Sequence, residues 1–125
     1  MAYMFYAHAI EAKNKYSKKI THGEAVLAGM ILAVKLSILT KRCGYEVLER
    51  ILKIYNTNNL TYVLKNNSNY KWIKSLIPYL KNDKKNNDEK INFLLLKKIG
   101  KTELPNKFKI SIMNLEKYSK TIAQY

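Results

Sequence analysis

The chain has 125 residues, 47% of which are hydrophobic, and 23 Lys and Arg residues against nine Asp and Glu residues leave a formal charge of +14. This length is that of a single domain, too short to contain both a dinucleotide-binding domain and a separate substrate domain, and the apolar content is too high for a wholly disordered chain. One cysteine, Cys43, excludes an internal disulfide framework and fits a reducing compartment.

The first predicted helix covers residues 2–13, where Phe5, Ala9 and Ala12 fall on one stripe and helix breakers are few. A polar and basic connection, residues 14–19, follows it. No basic segment followed by an apolar stretch opens the sequence, so we expect no secretory signal.

The clearest pattern predicts a second helix that begins at Thr21, carries Glu24 in its first turn and stops at Gly44. Its apolar stripe recurs at three- and four-residue spacing: Val26, Leu27, Met30, Ile31, Val34 and Ile38. The apolar run of residues 25–39 is interrupted by Lys35 and falls short of the ~20 residues that a membrane span needs. We therefore expect a core helix and no membrane association.

Shorter patterns predict a third helix over residues 47–54, which ends in the turn cluster of residues 56–59. A fourth helix is predicted over residues 72–80, with Pro78 marking a kink or an early end. The polar residues 81–90 are predicted to form the loop that follows.

Two short apolar runs, residues 91–96 and 101–104, flank Gly100 and predict a small hairpin, and residues 110–122 predict a closing helix. The expected fold class is therefore mainly α. It is a single domain over residues 1–125, with about five helices and one short two-stranded β-ribbon.

Two histidines, His8 and His22, each stand close in sequence to a glutamate, Glu11 or Glu24. Their separation of 14 residues across a loop matches no compact zinc-finger spacing. Cys43 has no histidine near it in sequence, and no Gly-rich phosphate-binding motif of the Rossmann or Walker type occurs. These residues alone favour ordinary hydrogen-bonded helix histidines over a metal site.

Four segments nevertheless resemble a known family. Residues 8–12 read HAIEA and residues 22–30 read HGEAVLAGM, which together resemble the HAIEA…HGEAVxxGM signature of 3-dehydroquinate synthase, a sugar-phosphate cyclase family. Residues 83–85 look like the family's DKK loop, and residues 93–101 are similar to the strand and IGK-type turn that follow it. The resemblance spans essentially the whole chain, but it covers only the C-terminal helical domain of that enzyme.

The resemblance implies a defined chemistry. The family's enzymes use NAD and a divalent metal, usually zinc, to convert 3-deoxy-arabino-heptulosonate 7-phosphate into 3-dehydroquinate with elimination of phosphate, a lyase step of the shikimate pathway to aromatic amino acids. It implies that His22 ligates the metal and that His8 lies at the substrate and assists proton transfer. It also implies that Lys84 or Lys85 meets an anionic group of the substrate, a role that suits a mobile ammonium.

The sequence departs from the family's pattern near its start. The family's GHTFGH corresponds to residues 3–8, so Met4 stands where the first metal-ligating histidine is expected, and a thioether is a poor zinc ligand. In the family a third ligand, a glutamate, and the NAD-binding domain lie upstream. We therefore expect neither metal nor NAD to bind tightly to this chain alone, and we expect it to be active only with a separate NAD-binding half or to be an inactive remnant.

The positive charge leaves another class of function open, a non-enzymatic basic helical module that binds nucleic acid or acidic partners. Against it, only Arg42 and Arg50 are arginines, the residue that contacts guanine and phosphate bidentately. The many lysines, mixed with Asn, Ile and Tyr, are typical of an A+T-rich coding bias. A third alternative is a domain of another sugar-phosphate cyclase. All these alternatives fit a cytoplasmic location.

Overall fold

The computed structural model describes residues 2–14, 20–81, 90–93, 96–98, 101–102 and 108–124. In these residues the chain forms six α-helices and one short 3-10 helix. They are α1 Ala2–Lys13, α2 His22–Leu39, α3 Tyr45–Thr57, the 3-10 helix Thr61–Leu64, α4 Tyr70–Lys74, α5 Ile77–Lys81 and α6 Ile112–Gln124. The prediction of a mainly helical fold is confirmed.

The described residues between α5 and α6 contain short strands: β1 Lys90–Phe93, β2 Leu96–Lys98, β3 Lys101–Thr102 and β4 Phe108–Ser111. β1 pairs antiparallel with β4, and β2 pairs antiparallel with β3. Gly100 lies outside the described residues. So do residues 94–95 of the first predicted strand (residues 91–96) and residues 103–104 of the second (residues 101–104). The single two-stranded ribbon therefore stays a prediction.

α2 is the central helix and is buried on two faces. Its slim face, with Ala25, Ala28 and Ala33, packs in a cluster with α1, α4, α5 and α6. The other face, with Ile31 and Val34, packs against α3. Among the described helices α2 is long and apolar enough to cross a membrane by length and composition, but 56% of that stretch lies inside the protein, as buried core helices do.

α2 ends differently from the prediction. The helix stops at Leu39, and the residue in the left-handed conformation is Lys41, with φ 61°, whose N–H donates to the Ile38 carbonyl over 3.0 Å. Gly44, predicted as the stop, has an extended φ of −92° and precedes α3 as its N-cap. The prediction was wrong because a left-handed residue closes a helix and here a lysine occupies that position.

We expect Lys41→Gly to raise the free energy of unfolding by about 0.5–1 kcal/mol. A left-handed conformation costs a residue with a Cβ roughly 1–2 kcal/mol, and part of the gain is offset by the freer unfolded chain of glycine. Asn59 has φ 58° after α3, and asparagine tolerates this conformation, so Asn59→Gly is the matched control with a smaller gain. Urea unfolding measures both changes, and a midpoint for Lys41→Gly at or below that of the parent protein would contradict the expectation.

The fourth predicted helix is divided into α4 and α5. The break comes before Pro78, which occupies the first turn of α5, where a backbone N–H has no intrahelical partner to lose. The Asn69 side chain accepts from the Trp72 N–H and caps the start of α4.

Lys35, which interrupts the apolar run of α2, is buried and only 5% exposed. Its ammonium donates to the carbonyl of Ile122 over 3.5 Å. That carbonyl lies in the last turn of α6, where carbonyls lack intrahelical partners and the helix dipole favours a positive charge. Burial lowers the pKa of Lys35, and the side chain serves the packing of α6 on α2.

Candidate functional site

The start of α2 places His22 at the surface. The Glu24 N–H donates to the Thr21 hydroxyl over 3.1 Å, and the Thr21 N–H donates back to the Glu24 carboxylate over 2.9 Å. This reciprocal pair of hydrogen bonds caps the first turn of the helix. The prediction that the helix begins at Thr21 is confirmed. The capping pair also lowers the pKa of Glu24, chiefly through the hydrogen bond from the Thr21 backbone. His22 follows the cap directly, and its side chain is 62% exposed.

The carboxylate that contacts His22 comes from α1. The Nδ1 atom of His22 lies 3.0 Å from Oε1 of Glu11, whose side chain is only 16% exposed. A carboxylate only accepts hydrogen bonds, so this contact favours the ring form with the proton on Nδ1 and leaves Nε2 without a contact to Glu11. Sequence proximity points to Glu24 as the neighbour of His22, but Glu24 is occupied by the cap.

His8 lies on α1, three residues before Glu11, and is exposed. Residues three apart are neighbours on the surface of a helix, with about 5–6 Å between their Cβ atoms. The fold therefore brings His8, Glu11 and His22 to one side of the α1–α2 pair. This is the arrangement that the predicted roles of His8 and His22 require, and both roles stay predictions.

The described residues do not make a complete metal site. Nowhere among them do three His, Cys, Asp or Glu side chains come close enough to hold one ion. His22 presents one imidazole nitrogen of the kind that zinc prefers, so a metal site that included His22 would need its other ligands from outside these residues. Lys84 and Lys85, the predicted substrate contacts, also lie outside the described residues.

A groove of about 440 Å³ lies beside the capped start of α2. Its lining residues are Asn14, Ile20, Glu24, Tyr62, Val63, Lys65, Asn66 and Trp72. The negative charge of the Glu24 carboxylate raises the pKa of the Tyr62 hydroxyl. The ammonium of Lys13 lies 5.6 Å from the centre of the Trp72 ring.

Sequence reasoning missed Glu11 as the partner of His22. The glutamate of HAIEA was visible, but its neighbour in the sequence is His8, and the contact with His22 crosses from one helix to another. A histidine that ligates a metal usually donates its second N–H to a carboxylate or carbonyl. This rule directs the search to carboxylates on neighbouring helices, and Glu11 is one of them.

Comparisons with known proteins show which family this chain resembles. The family model described as 3-dehydroquinate synthase C-terminal matches residues 5–86. The 3-dehydroquinate synthase of Pelagibacter ubique is 36% identical over 110 residues, which are 88% of this chain and 30% of that protein. The one from Endomicrobium trichonymphae is 40% identical over 96 residues, 77% of this chain and 25% of that protein.

Among solved structures, a 2-deoxy-scyllo-inosose synthase complexed with carbaglucose-6-phosphate, NAD+ and Co2+ superposes with a TM-score of 0.73 and 21% identity. The match covers 96% of this chain and 32% of that chain. At this identity it shows a shared fold. The chain thus spans about a third or less of the length of the proteins it matches.

Proposed function

Because the chain belongs to the 3-dehydroquinate synthase family, matched by its C-terminal model over residues 5–86, we propose that it acts as the helical metal- and substrate-contacting domain of such a cyclase. The proposed reaction converts 3-deoxy-arabino-heptulosonate 7-phosphate into 3-dehydroquinate with loss of phosphate, in the cytoplasm. The observation that carries the proposal is the contact between His22 and Glu11, which leaves one imidazole nitrogen free at the surface.

Each proposed residue has a separate task. When bound, NAD would accept and return a hydride and a divalent metal would polarise a substrate oxygen. His22 would hold the metal through Nε2, and His8, exposed on the same side, would take or return a proton. Lys84 or Lys85 would pair with an anionic group of the sugar phosphate through a mobile ammonium.

We propose that catalysis needs an NAD-binding half, in the same polypeptide or a separate one. The chain spans only 25–30% of the length of its relatives from Pelagibacter and Endomicrobium, so the activity of those proteins involves far more residues. A different sugar phosphate is the alternative substrate, because the aligned part is only 25–30% of the length of these relatives. An inactive remnant is the remaining alternative.

The test is phosphate release from the heptulosonate phosphate with NAD and Zn2+. Three proteins are compared: the chain alone, the NAD-binding half of the Pelagibacter relative alone, and a fusion of that half to this chain. We expect release from the fusion only. The fusion with Met4→His, which restores a histidine at the family's ligand position, should be faster. No release from either fusion, with both folded, would reject the proposed reaction with the heptulosonate phosphate.

Binding of single-stranded nucleic acid is a second candidate, supported by one cluster of side chains. The ring of Tyr70 on α4 has two ammonium groups near it, that of Lys74 at 6.0 Å and that of Lys120 of α6 at 5.6 Å from the ring centre. Neither lysine forms an ion pair with a carboxylate within the described part of the chain. An aromatic ring flanked by unpaired cations is typical of surfaces that stack bases and contact phosphates.

If this cluster binds nucleic acid, the double variant Lys74→Gln/Lys120→Gln should weaken binding of a single-stranded oligonucleotide about tenfold. It should also lower the slope of log K against log salt by about 1.4, since each phosphate contact in single strands contributes about 0.7. Lys41→Gln/Lys53→Gln removes the same charge from two other exposed lysines and serves as the control. Equal losses in both variants would mean that the binding reflects overall charge, without a defined surface.

A further inference from the structure

We propose that Glu11 is a positioning residue for His22, because its carboxylate determines which nitrogen of the imidazole ring carries the proton. The inference concerns one hydrogen bond between α1 and α2. Its consequence for metal binding rests on the proposed function, whereas the position of the proton can be measured without any metal.

The Glu11 carboxylate contacts a histidine in a chain that is rich in lysine. The chain has 23 Lys and Arg residues against nine Asp and Glu residues. The carboxylate of Glu11 nevertheless contacts an imidazole, with Oε1 3.0 Å from Nδ1 of His22. Glu11 is 16% exposed, so water competes less for its carboxylate than at an open surface, which strengthens the hydrogen bond.

This hydrogen bond has a defined chemical effect. A neutral imidazole carries its proton on either Nδ1 or Nε2, and a carboxylate that faces Nδ1 selects the form with the proton there. The lone pair then lies on Nε2, the nitrogen on the side away from Glu11. The hydrogen bond also restrains the ring, whose side chain is otherwise 62% exposed and free to rotate.

A purely structural alternative is that Glu11 only fastens α1 to α2. The two helices do not depend on Glu11 for their packing, because the completely buried Ile10 of α1 belongs to the same core cluster as Ala28 and Leu32 of α2. Variants of Glu11 should therefore fold. Glu11→Gln keeps an oxygen that accepts from Nδ1, whereas Glu11→Ala removes the acceptor, so the two variants separate hydrogen bonding from charge.

The experiment is nitrogen NMR of the histidine side chains at alkaline pH, where free imidazole is neutral. In the parent protein we expect His22 with its proton on Nδ1. Glu11→Ala should give a mixture of both tautomers, and Glu11→Gln should restore most of the Nδ1 form. His8, the other histidine of the sequence, is assigned in the same spectra. A proton on Nε2 of His22 in the parent protein, or no change in Glu11→Ala, would overturn the proposal.

Addition of Zn2+ to the same samples separates this proposal from the proposed function. If His22 is a metal ligand, its Nε2 signal should shift or broaden, at Zn2+ concentrations 10- to 100-fold higher in Glu11→Ala than in the parent. If the tautomer follows Glu11 while Zn2+ never affects His22, Glu11 stays a positioning residue and the assignment of His22 as a metal ligand fails.

Discussion

Replacing His22 by alanine is expected to lower phosphate release by the active fusion at least ~100-fold. Loss of an outer partner of a metal ligand costs 10- to 100-fold, and loss of the ligand itself removes the bond that such a partner only supports. The exposed side chain of His22 contributes little to the core, so the variant should unfold at nearly the same urea concentration as the parent. Rate and stability are measured on the same preparation.

Thr21→Ala is the matched control for this variant. It lies next to His22 and removes the hydroxyl that accepts from the Glu24 N–H, at an expected cost of about 1 kcal/mol in the free energy of unfolding. It leaves both nitrogens of His22 in place, so the rate at a temperature well below unfolding should change little. A His22→Ala fusion as active as the parent would remove His22 from the metal site.

Replacing Ile10 by alanine is expected to lower the free energy of unfolding by about 3 kcal/mol, within the 2–5 kcal/mol range for a buried isoleucine. Ile10 is 0% exposed and joins α1 to α2 in the cluster that also reaches α4, α5 and α6. The loss combines the removed apolar surface with a cavity that close-packed neighbours fill only in part. Equilibrium urea unfolding, followed by helical circular dichroism, gives the value.

Ile54→Ala is the control with the same change of side chain. Ile54 lies on α3 and is 56% exposed, so its truncation should cost less than about 1 kcal/mol. Because α1 carries His8 and Glu11, Ile10→Ala should also weaken the contact between Glu11 and His22 before global unfolding. Similar losses for the two isoleucines would mean that α1 is not fastened to α2 by this cluster.

Features that depend on neighbouring residues in sequence were largely predictable. Thr21 precedes an apolar helical run with Glu24 three residues later, and both groups of the capping pair lie within one turn. The apolar spacing of α2 and the turn cluster after α3 follow from the same local periodicity. The family resemblance rested on residues 8–12 and 22–30, which the family model covers.

Features that depend on contacts between helices were not predictable in this way. Glycine at position 44 is the residue type that most often stops a helix, yet the chain adopts the left-handed conformation at Lys41, three residues earlier, in the connection between α2 and α3. Likewise, no residue near Lys35 in the sequence predicts that its ammonium donates to a carbonyl at the end of α6, 87 residues away.

The sequence by itself determined the helical class, the start of the central helix and the membership of the family, because periodicity, capping and motifs are local properties of the chain. Only the tertiary structure decided that Glu11 is the partner of His22, because that choice depends on how α1 and α2 pack together in the core cluster that contains Ile10, Ala28 and Leu32. A hydrogen bond needs atoms within about 3 Å of each other, and a distance of that kind between two helices is set by the packing of the core.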